Sequence, residues 1–133
     1  MISSKIRTMS CYDLARNSRE TGAYLLQRLG DLLDSGIVGN VRGKGLMCGF
    51  EFVKDQQTKE PFDPALRISA RFQQEAMARG LILFSCFGCV DGVAGDMMMV
   101  TPPLIITRPQ VDELIGIIKD TLEAVRTEVV DAR

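Results

Sequence analysis

The chain has 133 residues, 46% apolar and 25% charged, enough for one domain with its own core and too few for a multidomain enzyme. Sixteen Lys and Arg against seventeen Asp and Glu leave a net charge of -1, which supplies no field to hold nucleic acid or an anionic membrane. There is no histidine, so Ser/His/Asp and Cys/His nucleophilic machinery is excluded and the commonest metal ligand is missing.

The opening Met1-Ile2-Ser3-Ser4-Lys5-Ile6-Arg7 holds no apolar run of signal-peptide length, and no segment is long enough to span a bilayer. This points to a cytoplasmic protein in which Cys11, Cys48, Cys86 and Cys89 are reduced thiols. From Tyr12 to Asp34, Gly22, Leu25, Leu26, Leu29, Leu32 and Leu33 recur at steps of three and four, the stripe of an amphipathic helix closed by Ser35-Gly36. Ile37–Arg42 and Leu46–Val53 read as an antiparallel hairpin turning at Gly43-Lys44-Gly45. In the second strand Leu46, Cys48, Phe50 and Phe52 share the buried face.

After a polar loop, Lys54 to Pro61, the pair Asp63-Pro64 predicts an N-cap and first helical position, with Ala65, Ile68, Phe72 and Ala76 as the buried stripe and Gly80 closing the helix. Leu81-Ile82-Leu83-Phe84 is wholly apolar and reads as a central strand; Met97–Val100 reads as another, with Ser85 to Asp96 as the loop between them. Thr107 and Gln110 have the capping-box spacing and open a last helix whose face is Val111, Leu114, Ile115, Ile118, Leu122, Val125 and Val129. The order helix, two strands, helix, two strands, helix gives an α+β fold: a small, mainly antiparallel sheet of about four strands covered by three helices.

Candidate chemistry is sparse. Cys86-Phe87-Gly88-Cys89 is a C-x-x-C, but the residues after it do not look helical, as a low-pKa redox pair requires, and zinc would need Cys48 and Cys11 as further ligands. Arg42-Gly43-Lys44-Gly45 lacks the phosphate-loop pattern and leads into a strand. Asp91 to Asp96 lacks the closing glutamate of a calcium loop. Met97 to Met99 would form a binding face only if exposed, and Glu51 is a lone carboxylate in an apolar strand. The residues alone assign no catalytic, cofactor-binding, substrate-binding or metal site.

Several blocks in order nonetheless resemble a known family: Arg19–Leu25, Ile37–Met47 with its R-G-x-G-L-M hairpin, Gly49–Asp55, Ala78–Leu81, Gly95-Asp96 leading into Pro102-Pro103-Leu104-Ile105-Ile106-Thr107, and Val111–Leu114. Together they resemble the C-terminal small domain of class III, fold type I aminotransferases, the omega-amino-acid and ornithine type. The resemblance runs from about Cys11 to Val125; residues 1–10 are left unplaced and residues 11–133 form the small domain. It implies a pyridoxal-phosphate enzyme that moves an amino group from an amine or amino acid to a keto acid. It also implies a homodimer and a preceding large domain that carries the Schiff-base lysine. Lys5, Lys44, Lys54, Lys59 and Lys119 all fall in segments read as exposed or as turns, so this chain alone is expected to be inactive. Many family members pair the substrate carboxylate with an arginine from the loop before P-P-L, and the loop Asp91–Asp96 has none. The alternative is a stand-alone interaction module that kept the fold and lost the chemistry.

Overall fold

The computed structural model describes residues 13–130. Tyr12, Cys11, Lys5 and the segment 1–10, together with 131–133, lie outside the described residues. The elements are α1 (Leu14–Gly30), β1 (Val38–Lys44), β2 (Met47–Phe52), α2 (Ile68–Ala78), β3 (Phe84–Val90), β4 (Ala94–Val100) and α3 (Arg108–Val130), in the order expected from the sequence. The four strands form one sheet in the order β1-β2-β4-β3, every neighbouring pair antiparallel. The α+β expectation of three helices on a small antiparallel sheet therefore holds.

Pairing fixes the faces. Cys48, Phe50 and Phe52 stand opposite Val100, Met98 and Asp96, so these six share a face, and all are buried. On it the rings of Phe50, Phe52 and α2's Phe72 meet with centroids 5.3 to 5.6 Å apart, two of the three contacts edge to face. Leu25 and Leu29 of α1 and Val111, Ile115, Ile118, Leu122 and Val125 of α3 join the same core. The helices thus cover one side of the sheet.

Four local expectations are corrected. The first helix is α-helical only to Gly30 and continues as a tighter 3-10 turn, Asp31–Ser35, before Gly36 closes it at φ 81°. The change of pitch keeps Leu32 buried and carries Leu33 off the stripe into solvent. The first hairpin turns at Gly45-Leu46, with Lys44 paired to Met47 and Gly43 inside β1. A two-residue reversal needs a positive φ, and Gly45 supplies it at 57°. Asp63 caps a separate 3-10 turn, Pro64–Leu66, by accepting from the Ala65 amide at 2.9 Å. Arg67 then takes a left-handed conformation (φ 48°) and α2 begins at Ile68. Finally, the strand expected at Leu81–Phe84 starts at Phe84 and lies at the sheet edge, and the supposed loop Ser85–Asp96 is itself the β3–β4 hairpin. Positive φ at Gly88, Asp91, Gly92 and Gly95 lets this glycine-rich stretch bulge and reverse while staying paired.

α1 seats on the first hairpin by backbone contact. A Cβ on Gly22 would lie 2.2 Å from the carbonyl carbon of Gly45, so only glycine fits there. Ser18 Oγ beside it accepts from the Leu46 amide at 3.2 Å. Gly22→Ala is expected to destabilise the chain by about 1–3 kcal/mol through overpacking. Gly116→Ala, on the exposed side of α3 with open space around it, should stabilise by about 0.5–1 kcal/mol. Urea unfolding of the two variants checks both signs.

Candidate functional site

The side of the sheet turned away from the helices is assembled by strand alternation. It carries Asn40, Arg42 and Lys44 from β1, Met47, Gly49 and Glu51 from β2, Met97 and Met99 from β4, and Phe84 and Cys86 from β3. None of these belongs to the hydrophobic core shared with the helices. Its middle is apolar: the Met97 methyl lies across Gly49, where a Cβ would stand 3.2 Å from it. One edge is charged, where Arg42 donates to Glu51 in an ion pair between exposed and half-buried groups. At the other edge Phe84 of β3 is 70% exposed, and Met47, at the turn end of β2 opposite Lys44, is 66% exposed.

The β3–β4 hairpin extends this apolar surface. Phe87, Val90 and Val93 are exposed along it, Ile82 precedes it, and Leu104 and Ile105 stand exposed after Pro102-Pro103. β3 carries no charge and no proline over seven residues, features by which soluble proteins usually blunt a free sheet edge. An uncharged edge strand thus stands beside a methionine-bearing sheet face that none of the described helices covers, together an apolar surface of the kind found at interaction sites.

On the helix side of the same hairpin, Asp96 is 6% exposed. Its Oδ1 accepts from the Ser69 amide at 3.0 Å and the Ser69 hydroxyl at 2.6 Å. Ser69 is the second residue of α2, and Arg67 at the cap position makes no side-chain capping bond. Asp96 thus caps α2 from a distant strand, where the helix dipole favours an anion. Ser85 Oγ donates to Gln73 Oε1 at 2.6 Å and Gln73 Nε2 donates to the Leu83 carbonyl at 3.1 Å, tying β3 to α2. At the far end of the sheet Asn17 Nδ2 donates to the carbonyls of Leu104 (2.7 Å) and Ile106 (3.0 Å), while its Oδ1 accepts from Thr21. This anchors the Pro102-Pro103 segment to α1.

The structure distributes the sequence-level candidates as follows. Cys86 and Cys89 lie on strand β3 and at no helix N-terminus. Burial first, then the negative charges of Cys86, Glu51 and Asp96, push the Cys89 thiol above its ordinary value, and burial alone does the same to Cys48. Arg42 and Lys44 are in a strand and are not brought together as a cradle. Glu51 and the Met97 and Met99 pair do converge, on the uncovered sheet face. Met98 points into the core. No group of three or more His, Cys, Asp or Glu among the described residues is placed to hold a metal ion. The Asp96 cap and the Asn17 anchor went unread in the sequence. The polar pair Asn17 and Thr21, four apart and leading into the apolar stripe of α1, was the available signal.

The Aminotransferase class-III family model matches residues 1–122. The chain is 39% identical over 121 residues to the uncharacterized aminotransferase YodT of Bacillus subtilis, covering 90% of this chain and 27% of that protein. It is 37% identical to the diaminobutyrate--2-oxoglutarate transaminase of Halomonas elongata, covering 77% of this chain and 21% of the relative. Among solved structures, a thermostable (S)-enantioselective omega-transaminase from Thermomicrobium roseum superposes with a TM-score of 0.79 at 34% identity, over 90% of this chain and 25% of that one. A transaminase from the marine bacterium Virgibacillus superposes with a TM-score of 0.87 at 28% identity, over 95% and 28%. The chain spans about a quarter of the length of these relatives.

The raised thiol pKa values give a direct expectation. Because their thiolates form only at higher pH, Cys48 and Cys89 should react with iodoacetamide near pH 8 more slowly than free cysteine. Cys48, buried, should label only after denaturation, as peptide mass spectrometry over a pH series will show.

Proposed function

The chain belongs to the class III aminotransferases, and on that footing we propose that residues 11–133 are the small C-terminal domain of a cytoplasmic, pyridoxal-phosphate-dependent transaminase. The whole enzyme transfers an amino group from an amine or amino acid to a keto acid and works as a homodimer. The domain's own part is to cover a larger domain and help shape the substrate cleft.

The observation that carries this reading is the uncovered sheet face running into the apolar β3–β4 hairpin, with Phe84, Phe87 and Val93 each at least 70% exposed. A stand-alone module would have replaced such a surface with polar residues or buried it in a self-dimer. The chain's match to only about a quarter of its relatives' length supports the same reading, because such relatives have further chain with which to cover that surface.

Pyridoxal phosphate, on which the family generally depends, does not fit the described residues. Among the lysines there, Lys54 pairs with Glu60 at 3.0 Å, Lys119 pairs with Asp31 at 3.4 Å, and Lys59 donates to the Gly39 carbonyl at 2.7 Å. Lys44 is exposed at the end of β1. None stands in an enclosed, partly apolar site of the kind that lowers an ammonium pKa toward a nucleophilic amine. The cofactor, its lysine and its phosphate contacts therefore belong to the large domain in this reading.

Borohydride reduction of the chain with pyridoxal phosphate should give no stoichiometric adduct at a single lysine, and the chain should not transaminate an amine with pyruvate. Activity should appear when a separately produced large domain is added. A specific adduct, or turnover by the chain alone, would overturn the assignment.

A further inference from the structure

Where the first three turns of α3 meet the chain that follows α2, a groove of about 340 Å³ is lined by Leu81, Pro103, Ile105, Ile106, Leu114 and Ile117. It shares no residue with the outward sheet face or with the β3–β4 hairpin. Ile105 is 64% exposed and its neighbour Leu104 42%, so apolar surface continues from the groove toward α1, whose Asn17 holds the Leu104 and Ile106 carbonyls. Gln110, a polar lining residue, is turned back onto Thr107 through its Oε1. Glu113 is the one charged lining residue, and its side chain makes no ion pair or hydrogen bond among the described residues.

Such a groove suits an apolar occupant that brings a cation to its rim, and the chain's own amino-terminal segment has that chemistry. The Asn17 amide donates to the Asp13 carbonyl at 3.0 Å, so Asp13 stands one helical turn, about 5.4 Å, from the residue that grips the Leu104–Ile106 strip. Residues 1–12, outside the described residues, continue from that point. Twelve residues reach about 18 Å at helical rise and about 40 Å when extended, enough to pass over Leu104 and Ile105 into the groove. In their sequence Ile2, Ile6 and Met9 fall at steps of four and three, the spacing of one apolar stripe; Lys5 borders that stripe and Arg7 lies opposite it. The segment contains no acidic residue, so nothing in it repels Glu113. A lipid carboxylate in the same groove would set like charge against that glutamate.

We propose that residues 1–12 dock in this groove, with Ile2, Ile6 and Met9 seated on its apolar lining and Lys5 beside Glu113. The assignment uses no residue of the surface attributed to a covering domain, so it can fail without affecting the transaminase reading.

The test is the rate at which trypsin cuts the Arg7–Thr8 bond in the full 133-residue chain, followed by mass spectrometry, against the rate in a free peptide of residues 1–12. The expected result is cleavage at least tenfold slower in the chain, because the docked segment must first open. Ile2→Ser, and Ile105→Ser at an exposed residue, should each speed cleavage of the chain about tenfold, the loss of one seated aliphatic side chain, while keeping the far-ultraviolet dichroism of the wild type. Glu113→Gln should speed it about threefold, as for a rim ion pair. Phe87→Ser, on the β3–β4 hairpin, should leave the rate unchanged. Cleavage as fast in the chain as in the peptide overturns the proposal. So does a rate indifferent to Ile105→Ser, or one that Phe87→Ser raises. Protection that grows with chain concentration would put the segment on a second copy and overturn it as well.

Discussion

Phe50, Phe52 and Phe72 decide the architecture. Two come from one strand at alternate positions and the third from the helix above, and their mutual ring contacts, two edge to face and one tilted, commit that side of β2 to the helices. Once β2 is oriented, pairing carries the choice across the sheet: Met98 and Val100 must face inward opposite Phe50 and Cys48, while Met97, Met99 and Glu51 must face outward. The uncovered face follows from the same contact that makes the core. Among the described residues no further helix lies on it, so its second face is left to be met by solvent or by another body.

Much of this was legible in the sequence, and the reasons are local. Cys48, Phe50 and Phe52 alternate along β2, so its core-facing set was read correctly, although Leu46 lies in the turn before the strand and Gly49 and Val53, expected on the outward side, are buried. α3 repeats Val111, Ile115, Ile118, Leu122 and Val125 at helical spacing beneath a Thr107–Gln110 cap, and that cap forms as expected, with Gln110 Oε1 accepting from the Thr107 amide at 3.0 Å. The second hairpin was misread because its strands break the rules that periodicity relies on. β3 is apolar or small on both faces, and the glycines at 88, 92 and 95 look like loop punctuation although they serve a bulge and a reversal. Asp63-Pro64 gave a true capping signal attached to the wrong helix. One left-handed residue, Arg67, separates the 3-10 turn from α2, and a non-glycine in that conformation leaves no mark in composition.

The candidate site was less legible than the fold. An uncovered face is a property of what is absent opposite it, and no motif encodes absence. The Asp96 cap depends on a partner 27 residues away, while capping patterns are recognised over three or four. Family resemblance reached further than the residues' own chemistry here. It supplied a setting, that of relatives about four times the length of this chain, in which an uncharged edge strand and a methionine-bearing sheet face make physical sense.

That long-range cap also constrains how the polypeptide acquires its shape during synthesis. α2 leaves the ribosome well before β4, so its first turn has no carboxylate at its amino end until Asp96 arrives, and β2 lacks its inner neighbour over the same interval. The amino-terminal half cannot settle early and wait, because its central strand and its second helix are both completed by the same late segment. Commitment is therefore deferred until β4 inserts beside β2, making the final fifty residues the part on which cooperative closure depends.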